Sequence, residues 1–272
     1  MLQDLGGSQV TPSNPTFVSG QSTIELDAEN RRFALVSDRG RLVLGLPQES
    51  SRITELGGFA TAEVGPDASA VPLTKDDGSL QIGLVIESAQ APTQFPFVWE
   101  TPPSTTTTVD PESGAVVVTT ENGSVLGGVS SPWARDAAGE PVPTRFVVTE
   151  GKLTQIVEHD DGYAYPIVAD PWSGQNLLHR AWVTGEPRGY VVNAVATTWG
   201  RTFNGVVTHG AHVAELKQRL GSQAYRVNYT VEQQFLCHVA GNYFEPDTYN
   251  MESWRPGVAW GAQLNPWVRC NP

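Results

Sequence analysis

Four glycine-centred turn signals, set between short apolar segments, constrain this chain more than any other feature: Arg39-Gly40, Asp77-Gly78, Asn122-Gly123 and Glu150-Gly151. Asn-Gly is the strongest two-residue hairpin signal, because both central positions of the tight turn need φ > 0. It joins residues 115–119 to 124–129, while Glu150-Gly151 turns 146–149 into 153–157. Arg39-Gly40 precedes Leu42-Val43-Leu44, and Asp77-Gly78 precedes 80–86. Ile24 and Leu26 alternate with polar neighbours, the period of a half-buried strand. Residues 21–170 therefore predict an all-β region, either a sandwich or a twisted antiparallel sheet.

The β pattern stops at residues 165–172, Tyr-Pro-Ile-Val-Ala-Asp-Pro-Trp. This places a flexible leader at 1–20, an acidic β-rich domain at 21–172 and a smaller α+β module at 173–272, so the chain as a whole reads as α+β. A protease-sensitive joint between about 170 and 180 is the corollary. The last 100 residues hold five of the eight Trp, four of the five His and both Cys. Of the formal net charge of −12, they carry +2, which leaves −14 before them. Within them, Val213, Leu216 and Leu220 recur at helical spacing over 209–220, and Gly221 follows as a stop. Thr230-Val-Glu-Gln233 reads as a capping box opening a helix that ends at Gly241. Residues 191–198 read as a strand broken by Gly200.

Several function classes are disfavoured. No apolar run reaches the roughly 18 residues of a membrane span. No basic strip is wide enough to follow a phosphate backbone, which argues against general nucleic-acid binding. There is no Gly-x-Ser-x-Gly elbow, phosphate loop, dinucleotide fingerprint or His-Glu-x-x-His. The N-terminus MLQDLGGSQVTPSNP lacks the basic and apolar regions of a signal peptide. Export through a signal since removed is the expectation, because two late cysteines and a Thr/Ser/Pro-rich stretch at 101–111 fit an oxidising compartment.

Cys237 and Cys270, the only cysteines, are expected to form a disulfide. Closing a loop of this size stabilises by about 3–4 kcal/mol in chain-entropy terms. A catalytic Cys237 with His238 as its base is the poorer reading, since sequence neighbours on a helix point about 100° apart. His238 shares a helix face with Gln234, four residues earlier, so the two can line one polar pocket. His238 is either an acid/base group or a buried histidine bonded to a backbone carbonyl. Glu252 and Arg255 either join it as catalytic partners or form a structural ion pair while Trp254 fills the core. Arg201, after Trp199-Gly200, is placed to hold an anionic substrate group or to pair with a carboxylate. The catalytic candidates are thus His238, Glu252, Arg255 and Arg201, with Asn250, Trp254, Gln234 and Trp199 as binding candidates. His209 and His212 have i, i+3 spacing suited to a metal, but no third ligand is marked, so neither a metal nor an organic cofactor is expected.

Four blocks of the C-terminal part carry a resemblance: Trp199-Gly200-Arg201, Gln234-Phe235-Leu236-Cys237-His238, residues 250–256 (Asn-Met-Glu-Ser-Trp-Arg-Pro) and Cys270-Asn271-Pro272. In this order they resemble the actinobacterial family called domain of unknown function 2599. Residues 131–136 and 165–171 are similar to a β-rich segment of exported actinobacterial proteins, including ones with toxin-like C-terminal modules. These resemblances imply secretion and a two-part architecture, and carry over no activity. The expected function is an exported, toxin-like effector whose C-terminal module performs hydrolytic or transfer chemistry. Its partners would be an unidentified target, an immunity protein or a cell-envelope component. The other reading is a non-catalytic envelope or carbohydrate-binding protein, in which Trp254, Trp260 and Trp267 make the contacts.

Overall fold

Backbone contacts in the computed structural model divide the chain into two units, Met1–Gln175 and Asn176–Pro272. The structure describes residues 8–20, 22–241, 247–264, 267 and 270–272. The first unit is built from antiparallel sheets. One sheet runs in the order Thr16–Ser19, Ser22–Asp27, Arg32–Ser37, Gly40–Gly45, Gln94–Glu100, Lys152–Val157 and Thr144–Thr149. The central strands of the other are Val116–Thr120, Val125–Val129, Trp172–Gly174, Leu80–Ile86 and Ala68–Thr74. Both contribute to one buried apolar cluster: Ile24, Phe33, Leu44 and Phe97 come from the first sheet, and Ile82, Leu84 and Val116 from the second. The hairpin read from Asn122-Gly123 is present, with Val116–Thr120 paired to Val125–Val129 and Gly123 at φ 81°.

Two boundaries differ from the sequence reading. Residues 8–20 are built into the fold: Val10 is fully buried, and Thr16–Ser19 pairs with Ser22–Asp27. The Gln9 side chain also accepts a 2.8 Å bond from the Thr74 amide. Apolar Val10 and Phe17 have more to gain from burial than the Gly/Ser/Pro content suggests. At the other end, Trp172–Gly174 is a strand of the first unit. Trp172 and Ser173 pair with Gln81 and Leu80, and the Trp172 indole donates to Ser79 Oγ at 2.8 Å. The division between the units falls after Gln175, three residues beyond the boundary read from the sequence.

Asp170 of the same segment is fully buried, and burial pushes its carboxyl up to about 8, against hydrogen bonds that include the Trp133 backbone and the Gln155 side chain. Its Oδ1 accepts from the Trp133 amide at 3.1 Å. Asp170 Oδ2 and Gln155 Oε1 are both buried without a partner, a pairing that a proton on the carboxyl satisfies.

In the second unit, Leu178–Glu186, Gly189–Ala196 and Tyr249–Glu252 form a three-stranded antiparallel sheet in that order. Helix α1 (Thr198–Thr202) follows the central strand, then α2 (His209–Leu220) packs on the first strand and α3 (Tyr229–Gly241) on the third. Val192, Ala194, Tyr249 and Met251 of the sheet are buried, as are Trp199, Leu216, Val231 and Phe235 of the helices. Helix α2 has the bounds its apolar spacing predicts, and Gly221 closes it at φ 56°. Helix α3 starts one residue before Thr230, and its first-turn bond comes from Asn228, whose Oδ1 accepts from the Val231 amide at 3.0 Å. Gly200 does not end a strand. It lies within α1, where a Cβ would come within 2.2 Å of the Leu177 carbonyl oxygen, so only glycine allows this approach.

Candidate functional site

Among the described residues, the Tyr249–Glu252 strand pairs with Gly189–Ala196 alone, which leaves its other edge of backbone donors and acceptors to be met by side chains. Helix α3 closes that edge with side chains one turn apart. Gln234 is fully buried; its Oε1 accepts from the Glu252 amide at 2.9 Å and its Nε2 donates to the Glu252 carbonyl at 3.0 Å. The side-chain amide thereby does what the peptide of a neighbouring strand would do. Four residues on, His238 bonds the Asn250 backbone and stacks on the Tyr249 ring, 5.1 Å between centroids and 8° between planes. The disulfide Cys237–Cys270, with Cα atoms 5.3 Å apart, brings the C-terminal residues to the same edge. With its nitrogen turned inward, the Asn271 amide lies 3.1 Å from the Asn250 carbonyl, Gln234 Oε1 and the Cys270 carbonyl.

Burial pushes the His238 pKa down to about 4, with the Asn250 backbone bond pulling the other way. The ring is neutral at pH 7, and its Nε2 is buried without a partner among the described residues. The expected cluster of His238, Glu252 and Arg255 is divided in two. Arg255 Nε bonds the Glu252 carboxylate, and Arg255 also reaches the Pro272 carbonyl oxygen at 3.3 Å. Among the described residues, His238 has no contact with that carboxylate. Arg201 lies over Tyr249, the ring on which His238 stacks, with its guanidinium 5.3 Å from the ring centre.

The binding candidates also separate. Trp199 is fully buried and stacked on Phe203 at 4.4 Å, so it packs the core and offers no face to a ligand. Its burial follows from α1, whose N-cap Thr197 accepts from the Gly200 amide at 2.8 Å and turns the indole inward. Gln234 is consumed by the strand edge. Asn250 exposes its side chain, which donates to the Thr248 carbonyl at 3.1 Å. Trp254 is half-buried beneath the Arg188 guanidinium, 4.7 Å away. Of the other tryptophans expected to make contacts, Trp260 meets the His209 ring edge-on at 4.9 Å, and Trp267 is exposed.

His209 and His212, the pair with i, i+3 spacing, are both buried. His212 Nδ1 and Nε2 face the Thr208 and Gly200 carbonyls at 3.1 and 3.2 Å. Burial, aided by His212, pushes His209 down to about 4. Among the described residues, no group of three or more His, Cys, Asp or Glu side chains is arranged to hold a metal.

Sequence reasoning missed two features. Glu215 of α2 is buried and accepts from the Leu177 and Leu178 amides at 2.8 and 3.1 Å and from Arg219 at 3.0 Å. The i, i+4 spacing of Glu215 and Arg219 was the available signal. The other is an aromatic and guanidinium cluster at the end of the sheet. Tyr190 and Ser253 exchange two 2.9 Å bonds, which bring Trp254 beside Gly189. The Tyr190 hydroxyl donates to the Arg226 carbonyl at 3.0 Å. Arg226 lies over the Tyr190 and Tyr225 rings, at 4.7 and 5.4 Å.

Chemically, the α3 face holds a strand edge with a neutral, sealed imidazole, whereas the sheet end presents cations stacked on rings. No helix among the described residues is long and apolar enough to cross a membrane. No curated protein and no solved structure matches the chain. The region that carries this strand-edge arrangement, residues 177–272, matches the model of a family described as a protein of unknown function, DUF2599.

Proposed function

We propose that the protein is an exported, non-catalytic binding protein, with a β-sandwich carrier ending near Gln175 and a disulfide-closed recognition module after it that docks on a cell-envelope component. The observation that carries this reading is the commitment of the would-be catalytic groups. Gln234 and His238 bond the free edge of the Tyr249–Glu252 strand, and Glu252 is held by Arg255. A neutral histidine at 6% exposure is a poor proton-transfer partner for a substrate in solution. The disulfide fits an oxidising compartment. Retention of the full chain on washed bacterial cell envelopes tests the proposal: saturable retention supports it, and complete recovery in the unbound fraction refutes it.

One observation favours the effector reading as well. Among the described residues, His238 Nε2 is buried without a partner, on a ring stacked on Tyr249, and such orphan groups occur at catalytic sites. Inducing the chain in a bacterial cytoplasm and periplasm in parallel separates the two. Growth arrest relieved by His238→Ala supports the effector, and unimpaired growth in both compartments supports the binding protein.

A further inference from the structure

The arginines of the second unit fall into two kinds. Arg219 and Arg255 are paired with Glu215 and Glu252. Arg188 and Arg226 have no carboxylate within salt-bridge distance among the described residues, and each is laid over aromatic rings instead. In a chain with 29 acidic against 17 basic residues, carboxylates to satisfy them are plentiful. We infer that Arg188 and Arg226, with Trp254, Tyr190 and Tyr225, form a binding site for a carboxylate-bearing polysaccharide, an inference that rests on the binding reading above and names its ligand class.

Geometry and charge carry the argument. A guanidinium stacked on a ring keeps its plane fixed and its N–H edges outward, the fork that a carboxylate meets with two parallel bonds. The two stacks belong to one patch, because the Tyr190 hydroxyl bonds the Arg226 carbonyl and the Tyr190 amide bonds Ser253, next to Trp254. At its inner edge Trp254 Nε1 and Arg226 Nε are buried without acceptors among the described residues, so the donors that Arg226 offers outward are those of its terminal nitrogens. Tyr225, 74% exposed, leaves ring surface on which the C–H face of a sugar can lie.

Charge selects among polyanions. Two cations in a chain of net charge −12 suit a polymer with one carboxylate per sugar. A nucleic acid, with about one charge per 1.7 Å of duplex axis, needs a wider basic surface.

The test uses the full chain and three probes: polygalacturonate, the same polymer fully methyl-esterified, and an oligothymidylate strand. The expected result is binding to polygalacturonate that weakens with salt, little binding to the ester, and roughly tenfold or greater loss of affinity in Arg188→Gln/Arg226→Gln. Arg188 is exposed in the turn between two strands, so Arg188→Gln alone serves if the double variant fails to fold. Equal binding to the ester, tighter binding to the oligothymidylate, or no binding to polygalacturonate overturns the inference. These outcomes are distinct from failure of the binding reading itself, which is loss of retention on cell envelopes.

Discussion

The side-chain amide of Gln234 is bonded in both directions to the peptide of Glu252, 2.9 Å from its amide nitrogen and 3.0 Å from its carbonyl oxygen. A strand edge is thereby closed by a helix side chain instead of another strand. The bonds made by His238 and Asn271 at Asn250 extend the closure. Three separated sequence blocks, around Gln234, Asn250 and Cys270, meet along this edge.

Gln234→Ala removes both bonds, which strips the Glu252 amide of the Gln234 acceptor and leaves its carbonyl with the 3.3 Å bond from the Arg255 amide. Its expected cost is about 2–3 kcal/mol. Urea unfolding followed by tryptophan fluorescence measures it, and a loss below about 0.5 kcal/mol, the range of an ordinary surface change, would deny the clip a structural role.

The two units are expected to answer pH in opposite senses. His238 and His209 are each pushed down to about 4 by burial, from an ordinary value of 6.5. Only the unfolded chain takes up protons there between these values. The second unit's stability is therefore fully present above about 6.5 and is lost as pH falls towards 4. Asp170 is raised from 3.8 to about 8, so its contribution is fully present below 3.8 and is lost as pH rises through about 8. Calorimetric scans from about pH 5 to pH 8 should show the two contributions moving in opposite directions. Asp170→Asn, which keeps a donor toward Gln155, should flatten the first unit's response. Parallel shifts in both units, or an unchanged response in the variant, would count against this assignment.

Cys237→Ala/Cys270→Ala opens a loop spanning 33 positions. The expected loss is about 3–4 kcal/mol. Mass measured after alkylation with and without reductant establishes the bridge, and equal unfolding midpoints for the variant and the parent would show that it contributes nothing.

Arg219→Ala removes the guanidinium from the buried Glu215 carboxylate and keeps the Leu177 and Leu178 amide donors. Removing one member of such a pair costs about 3–5 kcal/mol. A much smaller change in the unfolding midpoint would mean that the Leu177 and Leu178 amides suffice to hold the charge.

Part of this architecture is legible in the chain. Helix α2 is readable to the residue, because Val213, Leu216 and Leu220 set its period and Gly221 has the positive φ that stops it. Asn122-Gly123 gives a hairpin because its turn is local. The helix-face pairing of Gln234 and His238 is also readable, since i, i+4 neighbours on any helix share a face. What that face meets is not readable: the Tyr249–Glu252 edge lies 18 residues on from Gln234, and nothing in a one-dimensional pattern reports which strand edge stays unpaired. Trp199 looked available for binding because aromatic type does not reveal burial. Residues 8–20 looked mobile because two apolar side chains, Val10 and Phe17, sit among turn formers.

Amide hydrogen exchange at Glu252, compared between the parent and Gln234→Met, tests the central claim most directly. Methionine fills a similar volume but cannot bond the peptide. The account predicts that exchange at Glu252 accelerates at least about tenfold, while Met251, paired with Val192 inside the sheet, stays protected. A Glu252 amide equally protected in both proteins would contradict it.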